Sequence, residues 1–315
     1  MTIVGAMIGA GFASGKEIWA FFARFGWTSV LFVLPLVVLL FFCLLVGLEG
    51  FALGGKTHKN MKLLIDFCMF FCHFCFLSAM IAGLRVLCAQ MGMPVLFLIV
   101  FCAIGVFIAF GMKTIVAVSS FLMPVLIVFL VAVGIVFVAS SAPQNVEFGF
   151  DKIGKIGINL VLYVCMNILT ALPILQRIGG DCKKKKPVAF VATVCISFLF
   201  LLILVALLLN TGTNCDMPIL GLCIEKNKIL GVFCFFVLIA ATTTTMFSCG
   251  IEVVDKLQKF VKNRYTSTLL GLAFASAVST LGFGKIVEIL YPALGMVGAV
   301  MIFILAFLRL RQKTI

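Results

Sequence analysis

The stretch GAMIGAGFASGKE, which runs from Gly5 to Glu17, places four glycines at the start of an otherwise apolar chain. A glycine inside a helix costs about 1 kcal/mol relative to alanine. Backbone groups left unpaired inside a bilayer cost more, so a membrane helix is interrupted only where protein, water or a ligand faces the interruption. We therefore expect the first helix to be broken and to line a cavity.

The composition of the chain is that of a membrane protein. Its 315 residues are 64% hydrophobic and 11% charged, whereas about a quarter of the residues in a soluble domain are charged. The net charge of +13 does not indicate a nucleic-acid partner, because the basic residues lie between apolar segments, as in the loops of membrane proteins. We expect an all-α integral membrane protein, with residues 1–315 forming one transmembrane domain in a lipid bilayer.

Apolar segments of about 20 residues, the length that crosses a bilayer, alternate with charged breaks. They predict about ten transmembrane helices, at residues 2–25, 28–48, 61–90, 94–111, 114–140, 153–178, 187–209, 228–255, 266–282 and 286–308. Sixteen of the 24 basic residues fall on one side of this arrangement and seven on the other, with Lys16 inside the first span. Because basic residues favour the cytoplasmic side, both termini are predicted to be cytoplasmic. Almost no residues precede the first span, which is what a translation start assigned too far downstream would give.

The residues after the glycines predict where the first helix resumes. Ser14 and Glu17 have the spacing of a capping box, in which each side chain accepts a hydrogen bond from the other residue's amide. A helix start favours an anion, and the carbonyl end of the preceding half-helix favours a cation. The alternative is close helix packing, because Gly5 and Gly9 also form a G-x-x-x-G pattern.

Two later spans also carry polar residues. Thr242–Thr245 stand in a row in the eighth span, and Tyr163, Asn167 and Pro173 lie in the sixth. Proline removes one helical hydrogen bond, so we expect the sixth helix to be broken near residues 167–172. Broken first and sixth helices would fit a five-plus-five inverted repeat, over approximately residues 1–140 and 153–308.

The first-helix stretch, the FFARFG after it and YVCMNILTALPIL in the sixth span resemble the YkvI-type bacterial membrane proteins. These are identified as members of the amino acid, polyamine and organocation transporter superfamily, which has the LeuT-like inverted-repeat fold. The resemblance implies a sodium- or proton-coupled carrier of an amino acid or similar small carboxylate in the cytoplasmic (inner) membrane. Residues 114–140 contain no lysine, which some proton-coupled relatives place in this helix, so sodium is the expected coupling ion.

The resemblance also implies which residues bind ligands. The predicted sodium ligands are the carbonyls of Gly5, Ile8 and Ala241 and the hydroxyls of Thr244 and Thr245, with Thr243 as the alternative hydroxyl. The predicted substrate-binding residues are Gly9, Ala10, Gly11, Ser14, Tyr163 and Asn167, with the amides of Ala10 and Gly11 holding the carboxylate. Phe12 stands where neurotransmitter-type members have the asparagine of a further sodium site, so that further site is not expected.

A charge pair is predicted at the outer face. Lys16 in the first span and Glu288 near the outer end of the tenth helix would form a gate that closes above the substrate. The alternative is a snorkelling charge with no gating role.

The cysteines and one histidine leave other interpretations open. Cys68, Cys72, His73 and Cys75 could bind a soft metal ion, which would suit a transition-metal carrier of the same fold, or they form a packed stripe of small apolar side chains. Cys215 and Cys223 share a predicted outer loop, where a disulfide is conceivable. A non-transporting membrane sensor or assembly subunit is a third interpretation. The chain has no P-loop and no evident nucleophile and base, so neither an enzyme nor a covalent cofactor is expected.

Overall fold

The computed structural model describes residues 2–52, 59–110, 115–141, 147–179, 182, 184–210 and 215–313. Within these ranges all regular structure is helical, in agreement with the predicted all-α class. The helices are α1 (Thr2–Met7), α2 (Ala10–Ala13), α3 (Lys16–Phe21), α4 (Val33–Ala52), α5 (Lys59–Gln90), α6 (Pro94–Phe110), α7 (Ile115–Ser140), α8 (Ile153–Gly179), α9 (Lys185–Leu209), α10 (Pro218–Lys226), α11 (Lys228–Leu257), α12 (Arg264–Ser279), α13 (Phe283–Lys285) and α14 (Tyr291–Lys313). A π-helical turn, Ile286–Leu290, joins α13 to α14.

Seven helical stretches in the described ranges are long and apolar enough to cross a membrane. They are Trp27–Glu49, Leu63–Gln90, Met123–Ser140, Phe150–Leu172, Lys185–Leu209, Lys228–Leu257 and Phe283–Phe307. The chain is therefore an integral membrane protein built from helices. The predicted count of ten crossings also requires the interrupted first span, the 17-residue α6 and the 16-residue α12 to cross.

The two spans that were predicted to be broken differ. The first is interrupted after α1 and again between α2 and α3. The sixth is not, because α8 is continuous from Ile153 to Gly179, so the predicted break near residues 167–172 is wrong. A proline removes only one helical hydrogen bond, and packing of α8 against α4 and α14 supports an unbroken helix. α7 likewise contains Pro124 without a break.

Helices from the two halves of the chain pack together in two groups. In one group, α1 and α4 pack against α8 and α9. In the other, α5 and α6 pack against α11 and α12. The helix α14 lies on α8 and α4, and α7 lies between α9 and α11. The short α2 contacts α5 and α11 of the second group, so the interruption of the first span lies where the groups meet.

Candidate binding site at the interrupted first span

The first interruption frees backbone carbonyls of the first span. The hydrogen-bond ladder of α1 ends with the Ile8 amide, which donates to the Val4 carbonyl at 2.9 Å. The carbonyls from Gly5 to Ile8 then lie between this ladder and that of α2, because each helix satisfies carbonyls only up to its last turn. The predicted carbonyl ligands of a cation, those of Gly5 and Ile8, are both in this segment.

The same interruption begins a new helix with free amides. Gly9 precedes α2 in an extended conformation, with φ −84° and ψ −178°, and its carbonyl accepts the first bond of α2, from the Ala13 amide at 3.0 Å. The amides of Ala10 and Gly11 occupy the first turn of α2, where a helix offers no internal acceptor. These are the two amides predicted to hold a carboxylate.

The threonine stretch of α11 lies against the break at Gly9. A Cβ built on Gly9 would lie 3.8 Å from Oγ1 of Thr245, its nearest neighbour. A Cβ on Gly5 would instead lie only 2.7 Å from Cγ of Met123 in α7. Gly5 therefore fits the packing alternative, whereas Gly9 leaves room beside a hydroxyl.

The threonine hydroxyls differ in their partners. Those of Thr244 and Thr245 each donate to the Ala241 carbonyl at 2.9 Å, which leaves the hydroxyl lone pairs available to a cation. The Ala241 carbonyl receives both hydroxyls besides its helical bond, which makes it the weakest of the predicted sodium ligands. The Thr243 hydroxyl is buried and has no hydrogen-bond partner among the described residues.

The predicted capping box of Ser14 and Glu17 does not form. Gly15 is the N-cap of α3, at a φ of +79° that favours glycine. The Ser14 hydroxyl donates to the Gly11 carbonyl at 3.0 Å and accepts from the Lys16 amide at 3.4 Å. The tight turn at Gly15 thus puts a different amide within reach of Ser14. The Ser14 carbonyl accepts a hydrogen bond from the Ile219 amide of α10 at 3.0 Å.

Glu17 is buried beside the break. Its residue is 5% exposed, and a Cβ on Gly11 would collide with its carboxyl group. Within the described ranges, its carboxyl group makes neither a hydrogen bond nor an ion pair. The Glu17 carboxyl group can occupy this position because Gly11 has no side chain.

Two tyrosines border this carboxyl group. Tyr163 of α8 and Tyr291 at the start of α14 both interact electrostatically with Glu17. The Tyr291 hydroxyl is buried and lacks a hydrogen-bond partner in the described part of the chain. The buried Tyr163 hydroxyl has the Asn167 side chain within reach as a partner. The Asn167 side chain, predicted to bind substrate, donates to the Tyr163 backbone carbonyl at 2.9 Å. Glu17 and the two hydroxyls therefore form an interior group of oxygens with unused hydrogen-bonding capacity.

Lys16 and Glu288 meet, as the gate prediction requires. The Lys16 Nζ lies 3.6 Å from Glu288 Oε1 and 3.7 Å from Asp216 Oδ1. The Lys16 side chain is 4% exposed, but those of Asp216 and Glu288 are 42% and 40% exposed. Lys16 also lies 4.8 Å from the ring centroid of Trp19. The buried Lys16 ammonium group therefore has three stabilising neighbours, one of which, Glu288, belongs to the π-helical turn.

The cysteine and histidine interpretations gain no support from the geometry. No three His, Cys, Asp or Glu side chains in the described ranges are grouped so that they could hold a metal ion. His73 is buried, and its Nδ1 lies 2.7 Å from the Met69 carbonyl. Cys215 and Cys223 are both free thiols.

Sequence reasoning missed three residues of this region, namely Asp216, Gly284 and Tyr291. A Cβ on Gly284 would collide with Asp216, so this glycine admits the carboxylate that reaches Lys16. Tyr291 could have been noticed, because the chain has only three tyrosines and this one lies in an apolar span. Asp216 carried no such signal, because an acidic residue in a loop is ordinary.

Comparison with known proteins gives two distant relatives and no matching family model. The chain is 23% identical to the uncharacterized membrane protein YkvI of Bacillus subtilis (strain 168), over 93% of this chain and 90% of the relative. It is 24% identical to the uncharacterized protein YyaD of the same organism, over 94% and 91%. The chain is thus an all-helical integral membrane protein that is similar to YkvI and YyaD over most of its length.

Proposed function

We propose that this protein is a cation-coupled secondary active transporter of an amino acid or similar small carboxylate, with sodium as the coupling ion. The observation that carries the proposal is the break at Ile8 and Gly9, which lies against the threonine stretch of α11. A broken helix inside a membrane frees carbonyls for a cation and amides for an anion, which is how secondary transporters build midplane sites. The metal-carrier and non-transporting interpretations have no comparable observation among the described residues.

The packing of the helices supports a LeuT-like five-plus-five arrangement for this proposal. The first two spans pack with α8 and α9, the sixth and seventh, and the third and fourth pack with α11 and α12, the eighth and ninth. Each group therefore takes equivalent members from residues 1–140 and 153–308, as an inverted repeat requires. In such a fold both termini would be cytoplasmic, and Lys16 with Glu288 would close the outer side.

In the proposed site, the amides of Ala10 and Gly11 hold the substrate carboxylate. Sodium binds between the carbonyls of Gly5 and Ile8 and the threonine hydroxyls. Thr244 and Thr245 keep their lone pairs, and Thr243 has an unpartnered hydroxyl, so all three remain candidates. Hard oxygen ligands of this kind suit sodium better than a soft metal ion.

Uptake by proteoliposomes tests the proposal. The purified protein should accumulate one or more members of a pooled, labelled amino-acid set when an inward sodium gradient is imposed, and not when an equal potassium gradient replaces it. No accumulation over empty liposomes would contradict transport. Accumulation driven by a proton gradient and indifferent to sodium would contradict the choice of ion.

A pair of glycine variants ties the uptake to the break. Gly9→Val fills the space beside the Thr245 hydroxyl and should abolish uptake while leaving the protein folded, since the extended conformation of Gly9 suits valine. Gly154→Val is the matched control, because a Cβ at Gly154 in α8 has no neighbour within 4 Å. Equal uptake by both variants would exclude the break from the transport site.

A further inference from the structure

Glu17 is an acidic group in the interior of a membrane protein, and none of the residues that the structure describes neutralises it. The preceding residue, Lys16, does not neutralise Glu17, since its ammonium group pairs with Asp216 and Glu288. Successive residues of a helix point in directions about 100° apart, so the two side chains diverge. An isolated carboxylate inside a membrane is strongly unfavourable. The position therefore calls for a bound cationic group or a proton.

The oxygens around Glu17 match the hydrogen-bonding needs of an ammonium group. Such a group donates three hydrogen bonds and accepts none. Besides the carboxyl group, the buried hydroxyls of Tyr163 and Tyr291 interact electrostatically with Glu17, and in the described ranges that of Tyr291 lacks a partner. Nearly all buried polar groups in proteins have a partner, so an unpartnered hydroxyl beside an unpartnered carboxyl group indicates a shared ligand. The Tyr163 hydroxyl can donate to Asn167 and still accept a hydrogen bond from that ligand.

Aromatic rings pack against the two tyrosines, and an aromatic surrounding favours an organic cation. The Tyr163 ring lies 5.5 Å from that of Phe21 and 5.4 Å from that of Phe22, and the Tyr291 ring lies 4.8 Å from that of Phe76. Aromatic faces attract ammonium groups, whereas a calcium- or magnesium-like ion takes six or more hard oxygen ligands. One carboxyl group and two phenols do not supply that number.

We propose that Glu17, with the hydroxyls of Tyr163 and Tyr291, binds the ammonium group of the substrate. This inference deepens the proposed transport function, on which its identification of a substrate group rests. The Glu17 carboxyl group touches the backbone at Gly11, whose amide is assigned to the substrate carboxylate. An α-amino acid carries its two charged groups on one carbon atom, so one molecule spans both positions.

A binding measurement with methylammonium chloride tests the ammonium site without requiring transport. At about ten times its Kd, methylammonium should raise the Tm of the detergent-solubilised protein by about 2 °C, relative to the same concentration of potassium chloride. The shift should disappear in Glu17→Gln, which keeps the shape of the side chain and removes its charge. Glu225→Gln is the matched control and should keep the full shift, since Glu225 is an exposed residue of α10.

Three outcomes would overturn the inference. They are no shift in the wild-type protein, an equal shift in Glu17→Gln, and a sodium-specific stabilisation that Glu17→Gln abolishes. Tyr291→Phe gives an independent measurement, because it keeps the ring and cannot introduce an unpaired charge. Loss of one hydrogen bond to a charged group should weaken methylammonium binding about tenfold, and unchanged binding would remove Tyr291 from the site.

Uptake separates failure of this inference from failure of the transport proposal. If methylammonium binds through Glu17 but the wild-type protein accumulates no amino acid, the ammonium site stands and amino-acid transport falls. If the wild-type protein accumulates amino acids and Glu17→Gln does so at the same rate and half-saturating concentration, transport stands and the ammonium site falls.

Discussion

Lys16 and Glu17 are neighbours in α3, both buried, and the protein treats them in opposite ways. Lys16 lies between two carboxylates and the face of Trp19. Glu17 has no ion-pair or hydrogen-bond partner in the described ranges, and it interacts with the Tyr163 hydroxyl and the unpartnered Tyr291 hydroxyl. A buried charge that the fold supplies with partners is part of the structure. A buried charge left without partners is where a ligand is expected.

The strongest test of this contrast removes both partners of Lys16. Asp216→Asn or Glu288→Gln alone should lower stability by about 1 kcal/mol or less, since each carboxylate is well exposed and the other remains. The double variant leaves a buried, unpaired ammonium group and should lose about 3–5 kcal/mol, or about 5–8 °C in Tm. Thermal unfolding in detergent measures all three. Strictly additive losses would show that the Lys16 ammonium group has another partner and would end the contrast.

A second test asks whether sodium binds at the threonines or at Glu17. Thr244→Val with Thr245→Ala removes two hydroxyl ligands with little change in volume. We expect sodium to bind about a hundredfold more weakly, because each lost ligand bond is worth about 1.5 kcal/mol. Sodium-dependent substrate binding measures the effect, with Thr242→Val as the control, since the Thr242 hydroxyl bonds the Leu238 carbonyl within α11. Full sodium dependence in the double variant would move the ion away from Thr244 and Thr245, and Thr243 and Glu17 would remain as candidates.

The smallest expected effect concerns the side of the membrane on which the Lys16 pair lies. Cys215 adjoins Asp216 and is predicted to be outside, and Cys182 is predicted to be inside. Two variants are expressed in cells, one with Cys215 and the other with Cys182 as its single cysteine. A membrane-impermeant maleimide should label only the Cys215 variant. Burial raises the pKa of the Cys215 thiol. The reactive thiolate is therefore scarcer at pH 7 than for a free cysteine, and labelling should accelerate as the pH rises through 9. Labelling of Cys182 alone would invert the topology.

Local chemistry made part of this structure predictable from sequence. Four closely spaced glycines in an apolar segment lead directly to a break, and the break is there. The same reasoning gave a wrong prediction for the sixth helix, because α8 is continuous and its packing against α4 and α14 is not visible in the sequence. Sequence spacing likewise predicted a capping box of Ser14 and Glu17. The φ of +79° at Gly15 instead brings the Lys16 amide to the Ser14 hydroxyl.

The candidate site was predictable only where a residue was conspicuous by itself. Lys16 and Glu288 stood out as charges in apolar segments and do meet. Glu17 was noticed too, but as a helix cap, since nothing in the sequence shows that its carboxyl group lies beside Gly11. Asp216 lies in a loop and contacts Lys16 because Gly284 of α13 has no side chain to block it. No sequence pattern indicates such a contact between distant segments.

The hydrogen bond from the Ile219 amide to the Ser14 carbonyl bears on how the chain is made. A membrane helix interrupted at Ser14 leaves this carbonyl without its helical partner, and the group that satisfies it belongs to α10, in the last third of the sequence. During synthesis the first span enters the bilayer long before α10 exists. The Ser14 carbonyl therefore cannot make its final hydrogen bond until the ribosome has passed residue 219. The first span of this protein is completed only by a segment from the last third of the sequence.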